Sequence, residues 1–146
     1  MDDLLQLGKE ALASQPFNSL VGAELTCFSS GQAELTIPIT PLLKQQHGFV
    51  HGGVISYAAD NALTAAGASV LGPAAVTSEY KINYLRPAGG TTLIARAKVV
   101  YSRKTQAVCC CDVFMVKEGQ ENLCAVSQGT IARIGRPEET QSYPIV

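Results

Sequence analysis

The residues of this chain whose types and spacing could do chemistry lie between positions 45 and 60. His51, Gly52 and Gly53 precede a long apolar run, in which Asp60 is the single charged residue. An ionised carboxylate loses its hydration when it is buried, so its presence in such a run needs either hydrogen-bond partners or a function. Free N–H groups at a helix start favour an anion or a developing oxyanion, and glycine there lets a substrate approach the backbone closely.

The surrounding elements predict how these residues are positioned. The run from Val54 to Leu71 is mostly Ala, Val, Ile and Leu without proline, which predicts a helix buried on nearly all sides. Residues 2–13 have the spacing of a short amphipathic helix, and residues 23–28 and 32–39 alternate as in a hairpin. Four more extended runs follow the long helix, at about 75–85, 91–102, 105–117 and 122–133. This order excludes an alternating parallel α/β fold and indicates an α+β fold with one antiparallel sheet wrapped around one helix.

The residues quoted so far resemble a known family. Gln45, Gly48 and His51-Gly52-Gly53, with Asp60 nine positions after the histidine, look like the active-site signature of hotdog-fold acyl-CoA thioesterases of the phenylacetate-degradation (PaaI-like) type. The stretch from Thr77 to Ala88 is similar to the strand that follows the central helix in those proteins, and the resemblance covers roughly residues 20–134. It implies a hotdog fold and hydrolysis of an acyl-CoA thioester to a free acid and coenzyme A, with no metal or organic cofactor.

The resemblance also implies a role for each site residue. The Gly52 N–H would polarise the thioester carbonyl and stabilise the tetrahedral oxyanion. Asp60 would be a nucleophile that forms a mixed anhydride or a general base that activates water, and both roles stay open. Gln45 stands where related enzymes often carry an asparagine, and Thr77, at the end of the next strand, matches a common hydroxyl position. His51 is expected to orient the loop rather than to act as a base.

The spacing of Gly52 and Asp60 decides whether one chain can supply both groups to the same carbonyl. The two residues are eight positions apart, which is ~12 Å along a helix, so one thioester carbonyl cannot touch both within a single chain. We therefore predict an obligate homodimer, possibly a dimer of dimers, in which each site takes the glycine amide from one subunit and the carboxylate from the other. Hotdog thioesterases are similar in this respect.

Length and charge bound the remaining possibilities. The chain has 146 residues, 47% of them hydrophobic, so we expect a single domain over residues 1–146, with residues 1–20 as a helix and turn and residues 136–146 as a tail. A net charge of -1 argues against a nucleic-acid partner. Residues 81–136 nevertheless carry nine basic against three acidic residues, a field that could attract coenzyme A or belong to solvated sheet faces. The candidate substrate contacts are Gly53, Arg103, Lys104, Arg133 and Arg136.

Several other interpretations accompany these. Ser56 and Thr64, one turn before and after Asp60, could satisfy a purely structural carboxylate. His47 and His51 lack a convincing third ligand, so no metal site is expected. Five small residues of the helix could leave room for an aryl or medium acyl group, or permit close helix packing in a dimer: Ala58, Ala59, Ala62, Ala65 and Ala66.

Location and competing functions follow from the same residues. Five cysteines without a CxxC pair, and an N-terminus unlike a signal peptide, predict the cytoplasm, and polar residues within the long helix argue against a membrane span. The competing functions are a non-catalytic acyl-CoA-binding module, which would lack the acid at Asp60, and a less favoured acyl-thioester hydratase or dehydratase.

Overall fold

The computed structural model describes residues 2–135, which form one antiparallel six-stranded sheet and three α-helices. The helices are α1 (Asp2–Ala13), α2 (Asn18–Val21) and α3 (Gly52–Leu71), with a 3-10 turn at Pro41–Leu43. The strands are β1 (Glu24–Ser29), β2 (Gln32–Pro38), β3 (Ala75–Tyr84), β4 (Thr92–Ser102), β5 (Gln106–Lys117) and β6 (Gln120–Arg133). Their order across the sheet is β1, β2, β4, β5, β6, β3. The predicted α+β hotdog architecture is confirmed.

The core forms where α3 packs against one face of the sheet. Alternate residues of β2, β4 and β5 are buried against the helix, among them Leu35, Leu93 and Val113. At Gly67 an added Cβ would lie 2.6 Å from the Cβ of Ile131, so the absence of a side chain lets α3 approach β6 closely. The helix is therefore held at a fixed depth within the curve of the sheet.

Most of the helix alanines serve this core. Ala58, Ala59, Ala62 and Ala66 are almost completely buried within one chain. These four alanines therefore neither leave room for an acyl group nor form a surface for packing against a second helix. Both predictions made for them from the sequence were wrong. Only Ala65 of the five is partly exposed.

The N-terminal segment, predicted as a helix and turn, packs across β1. At Gly8 an added Cβ would lie 2.6 Å from Leu25 Cδ2, so α1 lies close to that strand. Asn18 anchors the following turn: its Nδ2 donates to the Ala23 carbonyl at 2.9 Å, and its Oδ1 accepts from the Ala23 N–H at 2.9 Å. The hydroxyl of Tyr57 also donates to Asn18 Oδ1, at 2.9 Å, and joins this turn to α3.

Two sequence predictions concern cysteines and membranes. Cys109, Cys111 and Cys124 are buried, whereas Cys27 is exposed, and all are free thiols. Burial raises the pKa of the Cys109 and Cys124 thiols to about 11, so these side chains are uncharged core residues at neutral pH. No helix within residues 2–135 is long and apolar enough to cross a membrane. The predicted tail at 136–146 lies outside the described residues.

Candidate active site

The start of α3 is fixed by hydrogen bonds from the chain before it. The His51 N–H donates to the Leu43 carbonyl at 2.8 Å, and the Val50 N–H donates to the Ala88 carbonyl at 2.9 Å. His51 has extended backbone geometry and caps the helix, because its Nδ1 accepts from the Gly53 N–H at 2.8 Å. The His51 ring thus orients the helix start, and an accepting Nδ1 carries no proton.

The amide that remains available at this end is that of Gly52. Its N–H donates to no atom of residues 2–135, while the Gly53 N–H is already bound by His51. The first N–H groups of a helix carry the positive end of its dipole, so an oxyanion is favoured at Gly52. The Gly53 amide is occupied, so any contact of Gly53 with substrate would be through its exposed α-carbon.

Tyr84 was missed by the sequence reasoning and lies against the same glycine. Its hydroxyl donates to the Gly52 carbonyl at 3.0 Å, and a Cβ added at Gly52 would meet the Tyr84 ring at 3.5 Å, an ordinary contact. The tyrosine was within the stretch that carries the family resemblance, but no spacing rule links residues 32 positions apart. It ties β3 to the start of α3.

Gln45 lies at this same end of the helix, in the preceding loop. Its side-chain Oε1 accepts from the backbone N–H of His47, and its own N–H donates to the Phe49 carbonyl at 2.8 Å. The Gln45 side chain therefore closes its own loop. Within one chain it forms no hydrogen bond with Asp60.

Asp60 lies in the middle of α3 and faces β3. The Thr77 hydroxyl donates to Asp60 Oδ1 at 2.6 Å, and Thr77 Oγ1 is 2.8 Å from Thr64 Oγ1. Thr64 Oγ1 is also 2.8 Å from the Asp60 backbone carbonyl. Among residues 2–135 nothing donates to Oδ2, which leaves one carboxylate oxygen for chemistry.

The interpretation of Ser56 and Thr64 as partners of the Asp60 carboxylate was wrong. The Ser56 hydroxyl bonds with the Tyr80 hydroxyl on β3, and Thr64 contacts the backbone of Asp60 rather than its carboxylate. Thr77 supplies the only hydrogen bond to the carboxylate from the described part of the chain. The carboxylate is therefore only half satisfied, in contrast to what a purely structural aspartate requires.

A β-bulge accompanies the contact between Asp60 and Thr77. Thr77 pairs with Ile131 of β6, whereas Glu79 pairs with Thr130, so Ser78 is the extra residue in β3. Such bulges reorient side chains next to functional sites. Sequence alternation alone cannot reveal the bulge, because the inserted residue is an ordinary polar strand residue.

The predicted coenzyme A contacts lie at the opposite end of α3. Arg103 and Lys104 form the exposed turn between β4 and β5, and the Arg133 N–H donates to the Thr105 carbonyl at 2.8 Å. The Nε of Arg133 is shielded from solvent and bonds to none of residues 2–135. Arg136 lies outside the described residues. These three basic residues thus form one group, separate from the Gly52 end and from Asp60.

Not all of the positive field is free to attract a ligand. Arg96 lies on β4, where Glu121 binds two of its nitrogens at 2.6 and 2.8 Å and Glu34 binds a third at 2.6 Å. These bonds raise the pKa of the arginine further. No group of three or more potential metal-ligating side chains occurs within residues 2–135.

The central helix of this hotdog fold thus carries both a carboxylate and an unbonded helix-terminal amide among the described residues. Residues 47–121 match the family model described as the thioesterase superfamily, and the chain belongs to that superfamily. The acyl-coenzyme A thioesterase PaaI of Escherichia coli is 34% identical over 116 residues, which span 79% of this chain and 80% of that protein. The chain is accordingly a PaaI-like thioester hydrolase.

Solved structures agree with this assignment. A thioesterase family protein from Silicibacter pomeroyi superposes with a TM-score of 0.84 at 33% identity, covering 90% of this chain and 99% of that one. The E. coli PaaI protein from the phenylacetic acid degradation operon superposes with a TM-score of 0.80 at 28% identity, covering 91% and 95%. The similarity therefore extends over almost the whole fold.

Proposed function

We propose that this chain hydrolyses acyl-CoA thioesters to a free acid and coenzyme A, without a metal or organic cofactor. The observation that carries the proposal is the half-satisfied carboxylate of Asp60, which Thr77 holds at Oδ1 while Oδ2 is left open. Similarity to a relative named acyl-coenzyme A thioesterase supports the choice of leaving group. The cytoplasm stays the predicted location.

The reaction needs two copies of the chain. Gly52 and Asp60 lie on the same helix, ~12 Å apart at ~1.5 Å per residue. A two-fold axis that brings Gly52 of one subunit opposite Asp60 of the other passes beside residue 56, halfway between them. Each dimer then holds two sites, and a dimer of dimers remains compatible with this arrangement.

Exposed apolar residues support such a pairing. β3 is an edge strand, and Val76, Tyr84 and Leu85 on or beside it are exposed. Leu42, in the turn before α3, is 95% exposed. Edge strands with apolar side chains tend to pair with another chain, so β3 is the surface we assign to the second subunit.

The proposed chemistry follows from the charges. The substrate carbonyl accepts from the Gly52 N–H of one subunit, which lies at the positive end of α3 and stabilises the negative charge of the tetrahedral intermediate. Oδ2 of Asp60 from the other subunit then follows one of two routes. It attacks the carbonyl carbon directly, giving a mixed anhydride that water then hydrolyses to the free acid and the restored carboxylate, or it removes a proton from the water that attacks the carbonyl. The carbon–sulfur bond breaks, and the thiolate of coenzyme A leaves and is protonated. Arg103, Lys104 and Arg133 are the proposed contacts for its phosphates.

The first test is thiol release from a panel of acyl-CoAs by the natural chain and by Asp60→Asn. The variant keeps the size of the side chain but loses the negative charge, so we expect it to lose most of the rate while it stays folded. Binding of acyl-CoA by both proteins without any hydrolysis would instead favour the non-catalytic binding module.

Mixing two inactive variants tests whether the site is shared. Gly52→Ala keeps the backbone N–H, but its methyl group is expected to block the close approach of the substrate carbonyl to that amide. The fold should be unaffected, since the added Cβ meets Tyr84 at an ordinary 3.5 Å. After refolding a 1:1 mixture with Asp60→Asn, about half of the dimers are mixed, and each contains one intact site of two. We therefore expect about a quarter of the natural activity. Activity that stays at the level of the separate variants would mean that each site belongs to one chain.

A further inference from the structure

A groove of about 550 Å³ lies between α1, β1 and α3. Its walls are mainly apolar and include Leu4 and Leu7 of α1, Leu25 and Phe28 of β1, and Ala65 and Ala68 of α3. Leu7 is 62% exposed and lies on the α1 side of the groove, so an apolar ligand would cover a side chain that water now contacts.

Hydrogen bonds connect this groove to the carboxylate. Thr64 lines the groove, its hydroxyl is 2.8 Å from that of Thr77, and Thr77 donates to Asp60 Oδ1 at 2.6 Å. Asn61, the residue next to Asp60, lines the groove as well. A substituent on a carbonyl held at Asp60 would therefore reach the groove of the same subunit past the side chains of Asn61 and Thr64.

The size of the groove selects among acyl groups. A cavity of about 150 Å³ is enough for a benzene ring, so a phenyl group would leave most of the groove empty. If a methylene group occupies the ~30 Å³ of a water molecule, ten methylene groups occupy ~300 Å³. This volume is smaller than that of the groove, although the groove is partly open to solvent. Its length agrees, since Thr64 and Gly72 lie ~12 Å apart along the helix direction.

We propose, on the basis of the function proposed above, that this groove binds the acyl group of the substrate. The protein would then hydrolyse unbranched medium-chain acyl thioesters of about eight to twelve carbons. The proposal makes α1 part of the acyl site, although it carries none of the reacting groups. Each methylene group that moves from water into the groove should increase the affinity by up to about fourfold.

The experiment measures kcat/KM for butanoyl-, hexanoyl-, octanoyl-, decanoyl- and phenylacetyl-CoA. For the natural chain we expect a gain of about twofold to fourfold per methylene, and a preference for decanoyl- over phenylacetyl-CoA. Ala68→Phe fills the groove and should bring the ratio of kcat/KM for decanoyl-CoA to kcat/KM for butanoyl-CoA close to one. Val70→Phe, on the exposed side of the same helix and outside the groove, is the matched control and should keep that ratio.

A second variant guards against misfolding in the helix. Leu7→Glu places a charge at an exposed position of the groove wall and should lower the same ratio, whereas Ala13→Glu, exposed on α1 but outside the groove, should not. Equal ratios in all four variants and the natural chain, or a preference for phenylacetyl-CoA, would overturn the groove assignment while thioester hydrolysis stood. Absence of hydrolysis with every thioester would instead remove the proposed function, and the groove assignment with it.

Discussion

Replacing Thr77 by valine is the sharpest single test of how the carboxylate is held. The change removes the hydroxyl that donates to Asp60 Oδ1 at 2.6 Å but keeps the shape and strand preference of the residue. Thr64 stays satisfied, because its hydroxyl still reaches the Asp60 carbonyl at 2.8 Å. The loss is therefore confined to the carboxylate, and the free energy of unfolding should fall by no more than about 1.5–3 kcal/mol, which is what a hydrogen bond to a charged group contributes.

The expected effect on rate follows from the strength of that bond. A hydrogen bond to a charged group contributes about 1.5–3 kcal/mol, and each ~1.4 kcal/mol is tenfold in rate, so kcat should fall roughly 10- to 150-fold. KM should change little if Thr77 only positions the carboxylate. The assay is thiol release at saturating acyl-CoA across pH 5–9, with Thr77→Ser as the control that keeps the hydroxyl.

Urea unfolding separates positioning from stability. Thr77→Val and Thr77→Ser should both stay folded under the assay conditions, while only Thr77→Val loses rate. A folded Thr77→Val protein that keeps at least half of the natural kcat would refute the reasoning. It would mean that other groups orient Asp60 in the working enzyme.

Three further predictions concern other parts of the chain. Tyr84→Phe loses the 3.0 Å bond to the Gly52 carbonyl and should lower kcat about fivefold without changing the melting temperature; an unchanged kcat would exclude Tyr84 as a positioning residue. Asn18→Ala removes three buried hydrogen bonds and should cost about 2–4 kcal/mol in urea unfolding, and a cost below about 1 kcal/mol would contradict this. Burial raises the pKa of Cys109 and Cys124 from 9.0 to about 11. The stability that these protonated thiols contribute is therefore fully present below pH 9 and is lost as the pH rises. The free energy of unfolding should fall by about 1.4 kcal/mol per pH unit for each thiol up to pH 11. Replacing both by alanine should reduce that alkaline decline but leave the part contributed by buried Cys111, whose pKa burial also raises, and an undiminished slope would contradict this.

The fold could be predicted from local patterns because most of its elements carry strong periodic signals. The hairpin, the long helix and the four later strands lie within a few residues of their predicted bounds. The order of strands across the sheet could not be derived from periodicity, since β3 pairs with β6 although residues 85–119, which include two other strands, separate them. The amphipathic pattern of residues 2–13 predicted α1 but contained no information about the strand that it covers.

The site could be predicted only in part, for a related reason. His51, Gly52 and Asp60 lie close together in the sequence, on one helix and its cap, and their types already indicated chemistry. Helical spacing offered Ser56 and Thr64 as partners only for a purely structural Asp60. The family resemblance placed Thr77 in the site, and the structure shows it as the donor to the carboxylate, beside the bulge in β3. Contacts that depend on a bulge or on docking of separate elements are invisible to spacing rules.

The residues of α3 fall on three faces, and each face has a different neighbour. Ala58, Ala62 and Ala66, spaced by four, face the sheet and are buried. Ser56, Asp60 and Thr64 form a second line with the same spacing, and each bonds directly to a residue of β3: Ser56 to Tyr80, and Asp60 and Thr64 to Thr77.

The third face of α3 lines the groove beside α1. A helix with a conventional polar, solvent-facing side would need only the sheet as a partner. This helix has no such side, which is why its apolar pattern extends nearly all round. We infer that the partly exposed surface of α3 is covered by a second subunit and by the acyl chain, so that the Asp60 carboxylate is shielded from solvent only when both are present.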